Sequence, residues 1–269
     1  MRRLFTFGCS FTKYIHPTWA DFIGTQFDTH QNWGKSGAGN FFIYSQLLEC
    51  NQLNNINKDD TVLIMLSGYI RFDIIDRESK FVTAGNMYNQ NFFNEDFVYN
   101  KWSEEYGFYS TWAYVNSIIN LLKSVGCKYK ILNAFDIRKR EGDTHNFEDF
   151  SKPRLKNCLE YLETVCHEID LYTYSKQKNK SGIPHYKFKE NGDFSTLQNV
   201  VIDYHPTISM HHDFVKEYLT EFYDQSMSNY KDEWEAKIDA LKSITISNFD
   251  EQLYKSRYFN TFVGLNLNI

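Results

Sequence analysis

The sequence predicts an α/β fold, a three-layer α/β/α sandwich built around a parallel sheet. Three observations carry that prediction. Short apolar runs alternate along the chain with longer stretches whose apolar residues recur every three or four positions. Those runs are nearly continuous rather than alternating, as strands buried on both faces must be. The 269 residues, 42% apolar and 23% charged, suffice for one large core and fall outside disordered, collagen-like or coiled-coil compositions.

Arg3 to Phe7 reads as the first buried strand, closed by Gly8, which permits a sharp turn. Pro17 opens a helix that carries Trp19, Ala20, Phe22, Ile23 and Phe27 at helical spacing. A strand at His30 to Trp33 leads through a glycine-rich loop to a helix from Phe41 to Gln52, and Thr61 to Leu66 is the clearest strand of all. Residues 76–107, rich in Asn, Phe and Tyr and without periodicity, read as an insertion. Helical spacing returns at Tyr109 to Val125, followed by a strand at Lys130 to Phe135 and a helix at Pro153 to Ile169. Leu171 to Asp193 reads as irregular, Asn199 to Ile202 as a short apolar run ending at Asp203, and Ile208 to Tyr223 as the last core helix. The domain division is therefore 1–227 for the α/β domain and 228–269 for a C-terminal helical extension, with helices expected at Lys231 to Ser243 and near Asp250 to Tyr258.

Composition excludes several function classes. The net charge of −5 gives no electrostatic footprint for nucleic acid or an acidic membrane. Cys9, Cys50, Cys127, Cys158 and Cys166 are odd in number and widely spaced, which argues against both a disulfide framework and a zinc site. The basic N-terminus lacks a signal-peptide apolar run, and no stretch nears the roughly 18 apolar residues of a membrane helix, so the expected setting is cytoplasmic, or virion-associated if phage-encoded. Aromatic residues, at 17%, are enough to line a cleft as well as fill a core.

Three stretches can carry chemistry. Ser10 follows the first strand directly, at the carboxyl edge where α/β folds place their sites. Asp203-Tyr204-His205-Pro206 offers an imidazole to take a serine proton and a carboxylate to orient it. Asn32-Trp33-Gly34-Lys35-Ser36-Gly37-Ala38-Gly39-Asn40 can turn N–H groups toward an oxyanion. Each has a plainer reading: Ser10 as a turn cap, D-x-H-P as a turn, and the glycine loop as a phosphate cradle, although its spacing departs from the P-loop. Adding His211 and His212 to Asp203 as metal ligands is disfavoured, because adjacent helical residues point about 100° apart. Cys9 is a rival nucleophile, but alternation at a strand end turns it away from the face Ser10 occupies.

Together the stretches resemble the SGNH, or GDSL-type, hydrolases, a flavodoxin-like fold family. Gly8-Cys9-Ser10-Phe11 resembles the first block, with Cys9 where Asp is usual; Asn32 and Gly37 resemble the second; Asp203-Tyr204-His205-Pro206 resembles the last. The blocks span residues 5–212 in the family's order, and their detailed text is similar to a branch found in tailed phages and bacteria. The resemblance implies Ser10 as nucleophile, His205 as general base, Asp203 as its orienting acid, and the N–H groups of Ser10 and Gly37 as oxyanion donors. Two departures stand out: the acid is two residues before the base rather than three, and the third-block Asn is missing from Leu66-Ser67-Gly68-Tyr69-Ile70-Arg71-Phe72-Asp73. Asn40, Ser67 or an amide near Gly68 must then fill that place.

The implied activity is an esterase that removes an O-acetyl or short acyl group from a carbohydrate through an acyl-enzyme, with no metal or cofactor. Ser67, Tyr69 and Arg71 are candidate substrate contacts, Arg71 for an anionic or hydroxyl-rich group. Trp102, Tyr106, Phe108 and Tyr109 are candidates for an acyl or sugar wall, or for a lid or subunit contact. Two alternatives stand beside the esterase: an acyltransferase using the same residues, and a non-catalytic glycan-binding or virion-associated module. Homo-oligomerisation stays open, since no heptad pattern supports it.

Overall fold

The computed structural model describes residues 1–14, 16–88, 93–139, 152–178, 186–189, 200–203 and 205–242. The elements in chain order are β1 Arg3–Phe7, α1 Trp19–Gly24, β2 Thr29–Asn32, α2 Asn40–Asn54, β3 Thr61–Leu66, β4 Arg71–Ile75, β5 Phe81–Asn86, α3 Glu104–Val125 and β6 Lys128–Asn133. Then come α4 Pro153–Val165, α5 Leu171–Lys178, β7 Tyr186–Lys189, β8 Val200–Asp203, α6 Ile208–Tyr218 and α7 Ser226–Lys242. The described residues fall into two compact units, one within 1–13 and 27–174, the other within 14–26 and 175–242.

The first unit holds a four-stranded sheet in the order β2-β1-β3-β6, every pair parallel. β3 is buried at all six positions. Phe5, Phe7, Val62 and Ile64 join the core formed with Ile43 and Leu47 of α2, Val115, Ile118 and Leu122 of α3, and Leu155 and Leu162 of α4. Leu4, Leu63, Met65 and Leu132, which alternate with them, are fully buried as well. A parallel sheet covered on both faces is the arrangement that the continuous apolar runs predict.

Residues 167–172 extend this sheet. His167 N–H donates to Ile131 O at 2.9 Å, Asp170 bridges Asn133 in parallel, and Tyr172 N–H donates to Ala134 O at 3.0 Å. The apolar run that ends at Asp203 forms β8, which pairs antiparallel with β7 in a hairpin, Tyr186 opposite Asp203. The Leu171 to Asp193 stretch, expected to be irregular, contains α5 and β7. β4 and β5 form an antiparallel hairpin, and residues 76–107, expected to lack periodicity, hold β5 and the start of α3.

The second unit pairs α1 with α6 and α6 with α7. Thr18 caps α1, its N–H donating to the Asp21 carboxylate at 2.8 Å. Trp19, Phe22, Ile23, Phe214 and Val215 are fully buried, and Ser209 donates through N–H and hydroxyl to Glu235 of α7 at 3.2 and 3.1 Å. The helix expected near Asp250 to Tyr258 lies outside the described residues. No helix among the described residues is long and apolar enough to cross a membrane.

One ion pair ties β1 to the loop before β3. The Arg3 guanidinium grips Asp60 with two bonds, of 2.7 and 2.6 Å, and the Asp60 side chain is 2% exposed. Burial pushes the Asp60 carboxyl up, but the bonds from Arg3 and from Asn57 N–H hold it below the usual carboxylate range. Its contribution is therefore complete above that range and lost as pH falls through the lowered value. Arg3→Met strands the buried carboxylate and is expected to cost about 3 kcal/mol in urea unfolding at neutral pH, with the deficit shrinking in acid. A deficit that does not change with pH would contradict this account.

Candidate active site

Ser10 sits in a turn directly after β1. The N–H groups of Thr12 and Lys13 both donate to Cys9 O, at 2.9 and 3.1 Å, and this bends the chain so that Ser10 occupies the apex. Gly8 makes the bend possible: a Cβ there would stand 2.0 Å from the Thr12 hydroxyl and 2.9 Å from Met65 O. Cys9 is fully buried, consistent with packing, and Ser10 is 4% exposed. Neither the hydroxyl nor the N–H of Ser10 has a hydrogen-bond partner among the described residues.

The glycine-rich loop is fastened to that turn. The Asn32 amide donates to Thr12 O at 2.8 Å, while its carbonyl accepts from Gly34 N–H at 3.1 Å, and Lys35 N–H donates to Gly8 O at 3.1 Å. The β4–β5 hairpin supports the loop from the other side. Gly85 N–H donates to Gly37 O at 3.1 Å, and the Thr83 hydroxyl to Ser36 O at 2.8 Å. Gly37 has φ of 75°, and its own N–H has no partner among the described residues.

The remaining first-unit candidates separate by role. Asn40, at the start of α2, donates to Ser67 O at 3.0 Å and to the Thr111 hydroxyl at 3.1 Å, and accepts from Ser67 N–H at 2.8 Å. Both amide hydrogens are thus committed to holding the end of β3. The Ser67 hydroxyl is buried with no partner among the described residues, and the Gly68 N–H likewise has none. Tyr69 is 4% exposed, its ring edge-on to Phe108 and its hydroxyl donating to Glu104 at 3.3 Å, so it serves as packing for α3. Arg71 lies over the Phe135 ring at 5.4 Å and donates to Ala38 O at 3.3 Å. Of the aromatic wall candidates, Trp102 and Phe108 are buried in the core and Tyr106 is exposed.

In the second unit, His205 stacks on Tyr14 with ring centroids 3.8 Å apart and planes inclined by 26°. Tyr14 meets His16 edge-on at 5.1 Å, and His16 lies 6.0 Å from His211. His211 is buried with neither ring nitrogen bonded among the described residues. That burial, with His16 and His205 nearby, holds its imidazole well below the usual range, so it is neutral at pH 7. His212 differs: its ring nitrogens face the Asp213 carboxylate at 2.9 Å and the Ser228 hydroxyl at 3.3 Å. Among the described residues, no group of three or more His, Cys, Asp or Glu is arranged to hold a metal. The backbone of Asp203 ends β8; its side chain lies outside the described residues.

Tyr14, His16 and Asp73 escaped the sequence reading. Asp73, on β4, takes the N–H groups of Gly39 and Phe42 on its two oxygens, each at 2.8 Å, and so caps α2 from outside the helix. A signal for Tyr14 was its position four residues after the serine; nothing local marks Asp73.

No family model and no curated protein matches this sequence. Solved structures do. A variant of an acetyl-xylooligosaccharide esterase from Geobacillus is 15% identical, with a TM-score of 0.47, covering 83% of this chain and 94% of its own. A member of the lipolytic G-D-S-L family from Veillonella parvula is 12% identical at a TM-score of 0.42, covering 81% and 99%. The Bacillus subtilis protein YXIM is 14% identical at 0.37, and the chain spans less than half of that protein's length, 46%.

Proposed function

We propose that this protein is a serine esterase of the SGNH type that removes a small acyl group, an acetyl in the simplest case, from a carbohydrate. The observation that carries the reading is the stack of Tyr14 on His205. Tyr14 is the fourth residue after Ser10 in the sequence. The stack fixes the plane of the imidazole, which eases the demand on Asp203, two residues upstream, as orienting acid.

In the proposed reaction the Ser10 oxygen attacks the ester carbonyl carbon while His205 takes the hydroxyl proton. The tetrahedral oxyanion is met by the N–H groups of Ser10 and Gly37. The Ser67 hydroxyl or the Gly68 amide supplies the donor that the third-block Asn usually gives, since the Asn40 amide is committed elsewhere. Collapse breaks the bond to the sugar oxygen, which takes the proton from the imidazolium. A water then gives its proton to His205, attacks the acyl carbon and restores the serine. The reading is supported by a serine and two amides that carry no other hydrogen bond among the described residues.

The test is acetate release from p-nitrophenyl acetate and from an acetylated pyranoside by the parent protein and by His205→Ala. The parent is expected to turn over both, and the variant to lose on the order of 10⁴-fold or more in kcat. Equal turnover by the two proteins would remove His205 from the mechanism.

A further inference from the structure

A polar recess in the first unit is not used by the proposed acyl chemistry. It is a cavity of about 190 Å³ between the start of α2, β4 and α3, and Phe41, Arg71, Asp73, Tyr106, Ser110 and Tyr114 are among its lining residues. We infer that this cavity is a subsite for one neutral pyranose ring, with Arg71 and Asp73 reading two adjacent hydroxyl groups. As a substrate subsite it rests on the esterase reading; as a sugar-binding site it does not.

Size limits the occupant first. The volume falls below the roughly 300–1,000 Å³ of pockets for drug-sized ligands, which suits a single ring rather than an oligosaccharide or a long acyl chain. Charge decides between the remaining classes. A guanidinium and a carboxylate line the same cavity, so an anionic ligand drawn by Arg71 would meet the charge of Asp73, and an apolar chain would displace water from both while offering neither a hydrogen bond.

A vicinal diol satisfies the pair, one hydroxyl accepting from Arg71 and its neighbour donating to Asp73. Asp73 has the capacity: each oxygen accepts one backbone N–H, and an ionised carboxylate offers about four acceptor sites. Those same two bonds make the carboxylate a fixed reference point, because it caps α2. The aromatic wall is equally fixed: Tyr114 stacks on Tyr44 at 5.7 Å and 19°, and Phe41 lies 5.8 Å from Tyr114. Flat rings of this kind receive the C–H face of a sugar.

The recess is also linked to the nucleophile turn within the same unit. Arg71 lies 5.4 Å over the ring of Phe135, and that ring lies 5.1 Å from the ring of Phe11, the residue after Ser10. Two ring contacts in succession thus join Arg71 to the residue that follows the serine.

Saturation-transfer NMR titrations with methyl xylopyranoside, methyl glucopyranoside, methyl glucuronide and butyrate test the assignment on the parent, Ser10→Ala and Arg71→Met. Saturable binding of a neutral pyranoside is expected in the parent and in Ser10→Ala, weakened about ten-fold in Arg71→Met, with the glucuronide binding no more tightly. Absence of saturable pyranoside binding, tighter binding of glucuronide or butyrate, or undiminished binding by Arg71→Met overturns it. Should Arg71→Met not fold, Ser110→Ala takes its place and must weaken pyranoside binding. Lost pyranoside binding with p-nitrophenyl acetate turnover intact overturns the subsite alone, whereas pyranoside binding without any ester turnover overturns the esterase reading alone.

Discussion

Ser10→Ala is expected to reduce turnover of p-nitrophenyl acetate by about 10⁴-fold to 10⁶-fold while leaving thermal stability nearly unchanged. The rate loss follows from the proposed nucleophile role, and the unchanged stability from one observation: the hydroxyl makes no hydrogen bond among the described residues, so its removal strands no buried partner. The turn itself is set by the N–H groups of Thr12 and Lys13 on Cys9 O and by Gly8, and alanine disturbs neither. A stability change above about 1 kcal/mol would mean that the hydroxyl is structural. Undiminished turnover in a folded Ser10→Ala protein would remove the serine mechanism. Residual activity matters as well, because oxyanion donors and binding alone can retain about 10³-fold over water.

Gly37→Ala is expected to act on stability and turnover together. At φ of 75° an L side chain costs about 1–2 kcal/mol, and here the added Cβ would also stand 2.4 Å from Thr83 O, a backbone atom of β5. Neither strand nor loop can yield without breaking the Gly85 to Gly37 bond, so the total loss should reach about 2–4 kcal/mol. Because that movement displaces the Gly37 N–H, turnover should fall a further 10² to 10³-fold or so in the folded fraction. Gly126→Ala is the control: φ is again 75°, but the nearest atom to its Cβ is 4.0 Å away, so it carries the strain without the collision. Equal stability losses in the two variants would contradict the buttress between hairpin and loop.

The parts of the fold legible in the sequence are those whose burial leaves a local pattern. β1 and β3 match their expected limits because strands buried on both faces are continuous apolar runs; α2 matches within two residues, and α3 ends where expected but starts five residues earlier, at Glu104. The β4–β5 hairpin was hidden because its strands are half-buried and interleave Arg, Asp and Thr with apolar residues. The pairing of β8 with β7 rather than with the parallel sheet is a non-local choice, since an apolar strand carries no record of its partner.

The candidate site divides the same way. Ser10, Asn32, Gly37 and His205 stand in short local motifs, and at Gly37 the positive φ also constrains residue type. Tyr14 and Asp73 act only through tertiary contact, Tyr14 on a ring 191 positions away in sequence and Asp73 on an amide 34 positions before it. Asn40 had a visible position and a different task, pinning Ser67 rather than facing solvent.

The most direct measurement is covalent labelling with a fluorophosphonate, read by peptide mass spectrometry on the parent and on His205→Ala. The account predicts one phosphonylated residue, Ser10, labelled rapidly in the parent and at least about 10²-fold more slowly in the variant. Label on another residue, no label at all, or labelling of Ser10 at the same rate without the imidazole would contradict it.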